Sequence, residues 1–331
     1  MFITKPAYFD RFHCIAGACP DSCCKEWDVQ VDEISAAYYR TLSGQLGENL
    51  RKVLRTENGE SLMTAAEGRC PMWQADGLCR IQAELGENAL CAVCREFPRL
   101  THDYGDFIER GLELSCPEAA KIILTADAAP RLTEEISGGA EPEYDPHAMA
   151  VLKATREDVL AILDDPILSA GEILTLVLFF GYQAQAILDG EDTPTFSTES
   201  ILSEAKNFAQ TGNIEDFLNF FLGLNILTPR WKERLSRPEG TGIGRECLPL
   251  ARYLTERYWL QAVSDYDLVC RVKFILIACI LISCLGGDFI ATAQLWSKEI
   301  ENDADNVDAL LDGAYTHPAF TDARLLGFLL R

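Results

Sequence analysis

A mainly α fold is predicted by three features of the 331-residue sequence. Beyond residue 145, apolar residues recur at helical spacing in runs opened by capping residues and closed by glycines. No internal repeat and no strand–helix alternation is visible, which argues against a parallel α/β architecture. Nine of the thirteen cysteines fall at or before Cys116. The chain therefore divides into a cysteine-rich region, residues 1–125, and an all-helical domain, residues 145–331, on which that region packs.

In the N-terminal region Cys, Gly and Pro are dense and the helical stretches short. Tyr38 to Leu54 reads as one helix, and Gly77 and Gly86 punctuate the middle. Ser137 to Pro146, rich in Gly, Pro and acid, reads as the boundary. Asp145 with Pro146 forms an N-cap and first-turn pair for a helix to about Leu163. Val151, Leu152, Val159, Ile162 and Leu163 keep helical spacing along it. Ser169 with Glu172 has the pattern of a capping box, opening a helix that reaches Gly190. Further helices are expected at 199–210, 214–222, 246–262, 268–285 and 288–302, with Gly286-Gly287 as a stop. Phe274 to Leu285 is the most apolar run. It is too short to span a bilayer and closely follows Arg271 and Lys273, so it is expected as a buried core helix.

Apolar residues make up 48% of the chain and charged residues 24%, an ordinary soluble composition. The formal net charge of −22 argues against nucleic acid and against an anionic membrane surface as partners. A basic or lysine-bearing protein is compatible with it. The start, MFITKPAYFDRFHC, lacks the basic-then-apolar pattern of a secretory signal, so a cytoplasmic protein is expected.

In a reducing compartment thirteen cysteines are not a disulfide framework. The N-terminal nine follow the pattern Cys14-x4-Cys19-x3-Cys23-Cys24, Cys70-x8-Cys79, Cys91-x2-Cys94, then Cys116. Thiolates are soft ligands, suited to zinc or to iron–sulfur clusters, and either takes four of them. Nine exceed one site by five, and two sites would leave one spare. Cys23 and Cys24 are adjacent and diverge in direction, so one of the two is expected at a given metal. The aromatics Phe9, Phe12, Trp27, Trp73 and Phe97 are interleaved with the thiols and can wall such a site from water. Spacing leaves both metals open, and nine merely buried thiols are the bland alternative.

His13 adjoins Cys14 and can replace a thiolate, although a lone histidine is more often a surface or hydrogen-bonded residue. The same reading applies to His102, His147 and His317. Cys247, Cys270, Cys279 and Cys284 sit in apolar helical context and are expected in the core.

The runs GACPDSCCKEWDVQVD (Gly17 to Asp32), CPMW with DGLCRIQ (Cys70 to Gln82) and LCAVCREFPR (Leu90 to Arg99) resemble the flagellin lysine-N-methylase family. A shorter related pattern occurs in cysteine-cluster zinc- or iron-chelating domains. The resemblance is close over about 8–118 and extends more loosely to Leu295–Leu311. It implies a protein-lysine N-methyltransferase that carries a cysteine-bound [4Fe-4S] cluster and moves a methyl group from S-adenosylmethionine to a lysine ε-amine of flagellin or a similar protein.

Such chemistry needs a neutral amine held in line with the sulfonium methyl. Glu26, Asp28 and Asp32 follow the cysteine pair and are candidates to orient it, against the commoner reading as surface carboxylates. The Gly240–Gly244 run, GTGIG, is the nearest approach to a nucleotide-binding turn, but no strand-like run precedes it and a flexible loop is expected. The radical-enzyme signature Cys-x3-Cys-x2-Cys fails, because Glu26 stands where the third cysteine belongs. The competing readings are a non-catalytic iron–sulfur or electron-transfer protein and a helical protein with structural zinc.

Overall fold

The computed structural model describes residues 1–24, 28–57, 59–66, 68–126, 130–240 and 242–330. Glu26, Trp27 and Thr241 lie outside the described residues. Among the described residues the chain is mainly α, with seven short strands placed before residue 136. In order the elements are β1 (Phe2–Pro6), β2 (Val29–Val31), α1 (Glu33–Thr41), α2 (Gly44–Val53), β3 (Leu54–Glu57) and β4 (Glu60–Met63). There follow α3 (Arg80–Leu85), α4 (Ala92–Glu96), β5 (Arg99–Asp103), β6 (Phe107–Leu112), α5 (Pro117–Thr125) and β7 (Arg131–Glu135). The remaining helices are α6 (Pro146–Leu163), α7 (Ala170–Leu188), α8 (Thr198–Phe208), α9 (Ile214–Leu222) and α10 (Pro229–Leu235). After them come α11 (Leu248–Tyr258), α12 (Val269–Leu285), α13 (Phe289–Ile300), α14 (Ala304–Thr316) and α15 (Asp322–Leu329).

The helix signals act as the physics of chain ends requires. The Asp145 carboxylate accepts from the N–H groups of His147 and Ala148, with Pro146 as the first residue of α6. Ser169 and Glu172 close a reciprocal capping box on α7. Gly286 ends α12 at φ 71°, a left-handed turn that favours glycine. The one helix expected over Tyr38–Leu54 is two. Ser43 is extended and Gly44 takes φ 76°, so the chain turns between α1 and α2. The helix expected at 246–262 is α11 continued by a 3-10 turn over Trp259–Val263.

The strands form two sheets. One has the order β5-β6-β1-β7, with β1 parallel to β6 and antiparallel to β7; the other has the order β2-β4-β3. Sequence alternation did not announce them. Phe2 pairs with Phe107 on one side and with Glu135 on the other, so β1 enters the first sheet only through contacts over a hundred residues apart.

Two cores result. The larger runs from Tyr8, Phe9 and Phe12 through Phe107, Leu112 and α5 into the helices as far as Leu329. Its centre is α12, where Phe274 to Ile282 are fully enclosed. Cys247, Cys270 and Cys279 are buried in it and Cys284 packs against it. The smaller core gathers Val29, Val31, Ala36, Tyr39, Leu46, Leu50, Met63, Met72, Ile81 and Leu90 around Cys70 and Cys91. By length and composition α7 is apolar enough to cross a bilayer; here it packs on α6, α8, α12 and α15.

Candidate metal centre

The smaller core is built to present sulfur. Its framework is Asp32, whose two carboxylate oxygens hold two elements at once. Oδ1 accepts from the Ser35 N–H at 2.9 Å and caps α1, while Oδ2 accepts from the Ala92 N–H at 2.8 Å at the start of α4. These N–H groups hold the Asp32 carboxyl below the usual range, the Ala92 bond first. The Tyr39 hydroxyl donates to the Ala89 carbonyl at 2.7 Å and fixes the same loop from the other side. Asp28 accepts from the Ala65 N–H at 2.7 Å. Both carboxylates thus serve the scaffold of the thiols.

Cys79 and Cys91 are the N-caps of α3 and α4, and Cys116 is the N-cap of α5. The free N–H groups of a helix start point at whatever sits there. The N–H groups of Gln82 and Ile81 act to lower the pKa of Cys79, that of Cys94 acts on Cys91, those of Ala119 and Glu118 on Cys116, and that of Met72 on Cys70. Backbone N–H groups near sulfur favour the thiolate. Between Cys70 and Cys79 the chain reverses. Gly77, at φ 81°, makes the turn, and Trp73 faces Cys79 across it. The Arg69 guanidinium lies 4.9 Å from the Trp73 ring centre.

The nine thiols fall into two groups. Cys24 shares hydrogen bonds with Cys23 and Cys70, Cys79 lies in the field of Cys70 and Cys91, and Cys94 is bonded to Cys91. Cys94 also feels Cys23 and Cys24. Six thiols therefore surround one locus. Cys116 instead feels Cys19 and Cys14, and these three form the second group. The two groups abut, because Gly17 packs against the turn before Cys79; a Cβ there would stand 2.8 Å from the Asp76 carbonyl oxygen. Asp21, between Cys19 and Cys23, takes Lys298 and Gln294 of α13 as partners, and Gln294 also donates to the Ser115 carbonyl at 2.6 Å. That contact ties the cysteine loops to the helical core.

The electrostatics are those of thiols crowded together. The bond with Cys23 pushes Cys24 up to about 12, and the bond with Cys24, with burial, pushes Cys70 up. Burial pushes Cys79 up, and Cys116 to about 11. Cys91 alone is held down, first by the Cys94 thiol and then, against burial, by the Cys94 N–H. Among the described residues, no three of His, Cys, Asp or Glu converge as ligands of a single metal ion. The donor set fits a thiolate-held cluster, which needs soft ligands distributed around a body of several atoms.

The remaining candidates separate cleanly. His13 is exposed. His147 opens α6, and His317 caps the turn at Pro318 while lying 5.0 Å from the Phe220 ring. His102 is half-buried on β5 in the field of Arg257 and Glu109, and desolvation holds its imidazole below the usual range. Gly240 of the glycine run packs on the end of α12 and follows α10, with no strand before it.

Curated relatives match part of the chain. The lysine-N-methylase of Salmonella typhimurium is 35% identical over 140 residues, 40% of this chain and 35% of its own length. That of Salmonella choleraesuis is 34% identical over the same extent. The flagellar biosynthetic protein FliU of Salmonella muenchen is 36% identical over 143 residues, and the match covers 84% of it. The chain belongs to the flagellin lysine-N-methylase family. Family membership rests on an extent of about two-fifths of the chain, which spans about a third of the length of the curated lysine-N-methylases. No family model and no solved structure matches it.

Proposed function

We propose that this protein is a cytoplasmic protein-lysine N-methyltransferase that uses S-adenosylmethionine on flagellin or a similar protein. The observation that carries this reading is the family relation, since the relatives are named for lysine methylation and for flagellar biosynthesis. We also infer that the six-thiol locus holds a [4Fe-4S] cluster. Cys70, Cys79 and Cys91, each beside backbone N–H groups that favour its thiolate, supply three ligands, and Cys24 or Cys94 completes the set. When bound, the cluster supplies a redox-active centre. The protein's own part is to order the loops through Asp32 and Tyr39.

Two measurements test the reading. Anaerobically purified protein should contain about four irons per chain with a brown visible band, and Cys79→Ser or Cys94→Ser should remove most of both. Cys270→Ser, in the helical core, should leave them unchanged. Stoichiometric zinc without iron would sink the cluster. Incubation with S-adenosylmethionine and co-expressed flagellin should give mass increments of one methyl on lysines; no binding of the donor and no methylated lysine would sink the enzyme.

A further inference from the structure

A cavity of about 240 Å³ opens between α5, the end of α6 and α11, with Asp164 and Arg245 on its exposed side. A smaller chamber of about 30 Å³ lies against the first sheet. Tyr8, Tyr253 and Glu256 line both, so the chamber opens to the cavity between them. No cysteine lines either space. The chamber has room for roughly two waters, or for the two oxygens of one carboxylate.

The residues of the chamber wall hold a surplus of donors. His102, Arg110 and Arg131 line it, and Nε2 of the first and Nε of the other two are buried with no hydrogen-bond partner among the described residues. Buried donors without acceptors are costly, and three around one space call for a ligand that accepts. Of the two carboxylates in the wall, Glu109 is already taken by Arg156 on both oxygens and by Arg131. Glu256 has one ion pair among the described residues, with Arg131, long at 3.8 Å. Burial, against Arg131, Arg252 and Arg156, pushes its carboxyl up, toward the neutral form that donates rather than repels an anion. Over both spaces, five arginines stand against Asp164, Glu109 and Glu256. In a chain of net charge −22 this is a local reversal of sign. Water can meet the donors but not the surplus charge.

We propose that the chamber binds a carboxylate group, carried by an organic acid whose remaining chain lies in the larger cavity. The carboxylate oxygens accept from His102, Arg110 and Arg131, and Tyr8 and Glu256 flank the passage behind them. Among the residues lining the cavity, Ile123, Leu163 and Leu248 offer the chain apolar surface. A planar head with two oxygens suits both the size of the chamber and the forked donors of arginine. An ammonium head would set donor against donor. The site stands whether or not the methyltransferase reading holds. On that reading the sulfonium donor carries an α-carboxylate of its own, so the acid is either that donor or a separate small molecule.

The test is calorimetric titration of the whole protein with sodium n-butyrate at fixed ionic strength, with n-butanol and n-butylammonium chloride as neutral and cationic controls. Wild type should bind n-butyrate saturably and both controls at least about tenfold more weakly, the size of a lost charge-assisted bond. His102→Phe, which keeps a ring and removes a donor, should lose about the same factor. Glu256→Gln, which removes the loosely paired opposing charge, should bind n-butyrate about tenfold more tightly. Both should keep the wild-type far-ultraviolet circular dichroism. In the magnetic resonance spectrum of the four histidines, saturating n-butyrate should raise the pH midpoint of the His102 imidazole by about 1 and leave the other three in place. Equal binding of either control, unchanged or weaker binding in Glu256→Gln, or an unmoved His102 overturns the site. Competition assigns the source: displacement of n-butyrate by S-adenosylmethionine puts the donor's carboxylate in the chamber, and simultaneous binding leaves a separate acid. No binding of S-adenosylmethionine at all sinks the methyltransferase and leaves the carboxylate site.

Discussion

Glu109 on β6 is enclosed where the first sheet meets α6, and its environment shows how a buried charge is kept. Both oxygens take the Arg156 guanidinium at 2.8 Å, and Arg131 of β7 adds a third bond at 3.0 Å. Burial alone would push the carboxyl up; the two guanidiniums outweigh it and hold it below the usual range. Removing one partner leaves a charge without compensation, so Arg156→Met should cost about 3 kcal/mol in urea unfolding at neutral pH. The sign with pH follows. A depressed native pKa contributes stability that is fully present above the ordinary glutamate value, about 4.3, and is lost as pH falls through the native one. Wild type and Arg156→Met should therefore converge in stability as acid is added. At the same scale, the nine cysteines were legible as candidate metal ligands by residue type. Their division was not, because Cys24 and Cys70 are bonded through folding across forty-odd residues of chain. Asp32 was legible only as a carboxylate near a thiol, since the N–H it holds at Ala92 is sixty residues away.

Elements formed where local signals were sufficient. Ser169 and Glu172 satisfy donors that α7 would otherwise leave unpaired, and Asp145, Ser197, Asp288 and Asp303 do the same for their helices. Ser169→Ala should cost about 1 kcal/mol, measured by thermal or urea unfolding, without altering iron content. The break between α1 and α2 was hidden because its apolar pattern continues through it, while the left-handed Gly44 decides the turn. The strands were hidden for a different reason. β7, with the sequence RLTEE, is mostly exposed and has no buried face to impose alternation. It becomes a strand because β1 offers it hydrogen bonds from Phe2 to Pro6.

Two hydrophobic cores coexist in the molecule, and they answer to different forces. The helical core is close-packed around α12 and is stabilised by apolar burial. The small core around Cys70 and Cys91 has fewer apolar residues, and under the cluster proposal its order depends on the group its thiols bind. Chelating the metal should therefore speed hydrogen exchange in β2, α1 and α4 while α12 keeps its protection. Equal loss of protection in α12 would show one cooperative core.

The sequence by itself determined the helical nature of residues 145–331, most of the helix caps and the concentration of soft thiol donors in the N-terminal region. These are local properties, set by spacing, by propensity and by the ligand preferences of sulfur. Only the tertiary structure decided which thiols meet, how the two sheets close, and that Tyr8, Tyr253 and Glu256 come together. Those three residues come from the first turn of the chain and from α11, and no periodicity relates them. Their proximity follows from burial of the sheet and helices in one core, whose driving force is non-directional and leaves no local mark in the sequence.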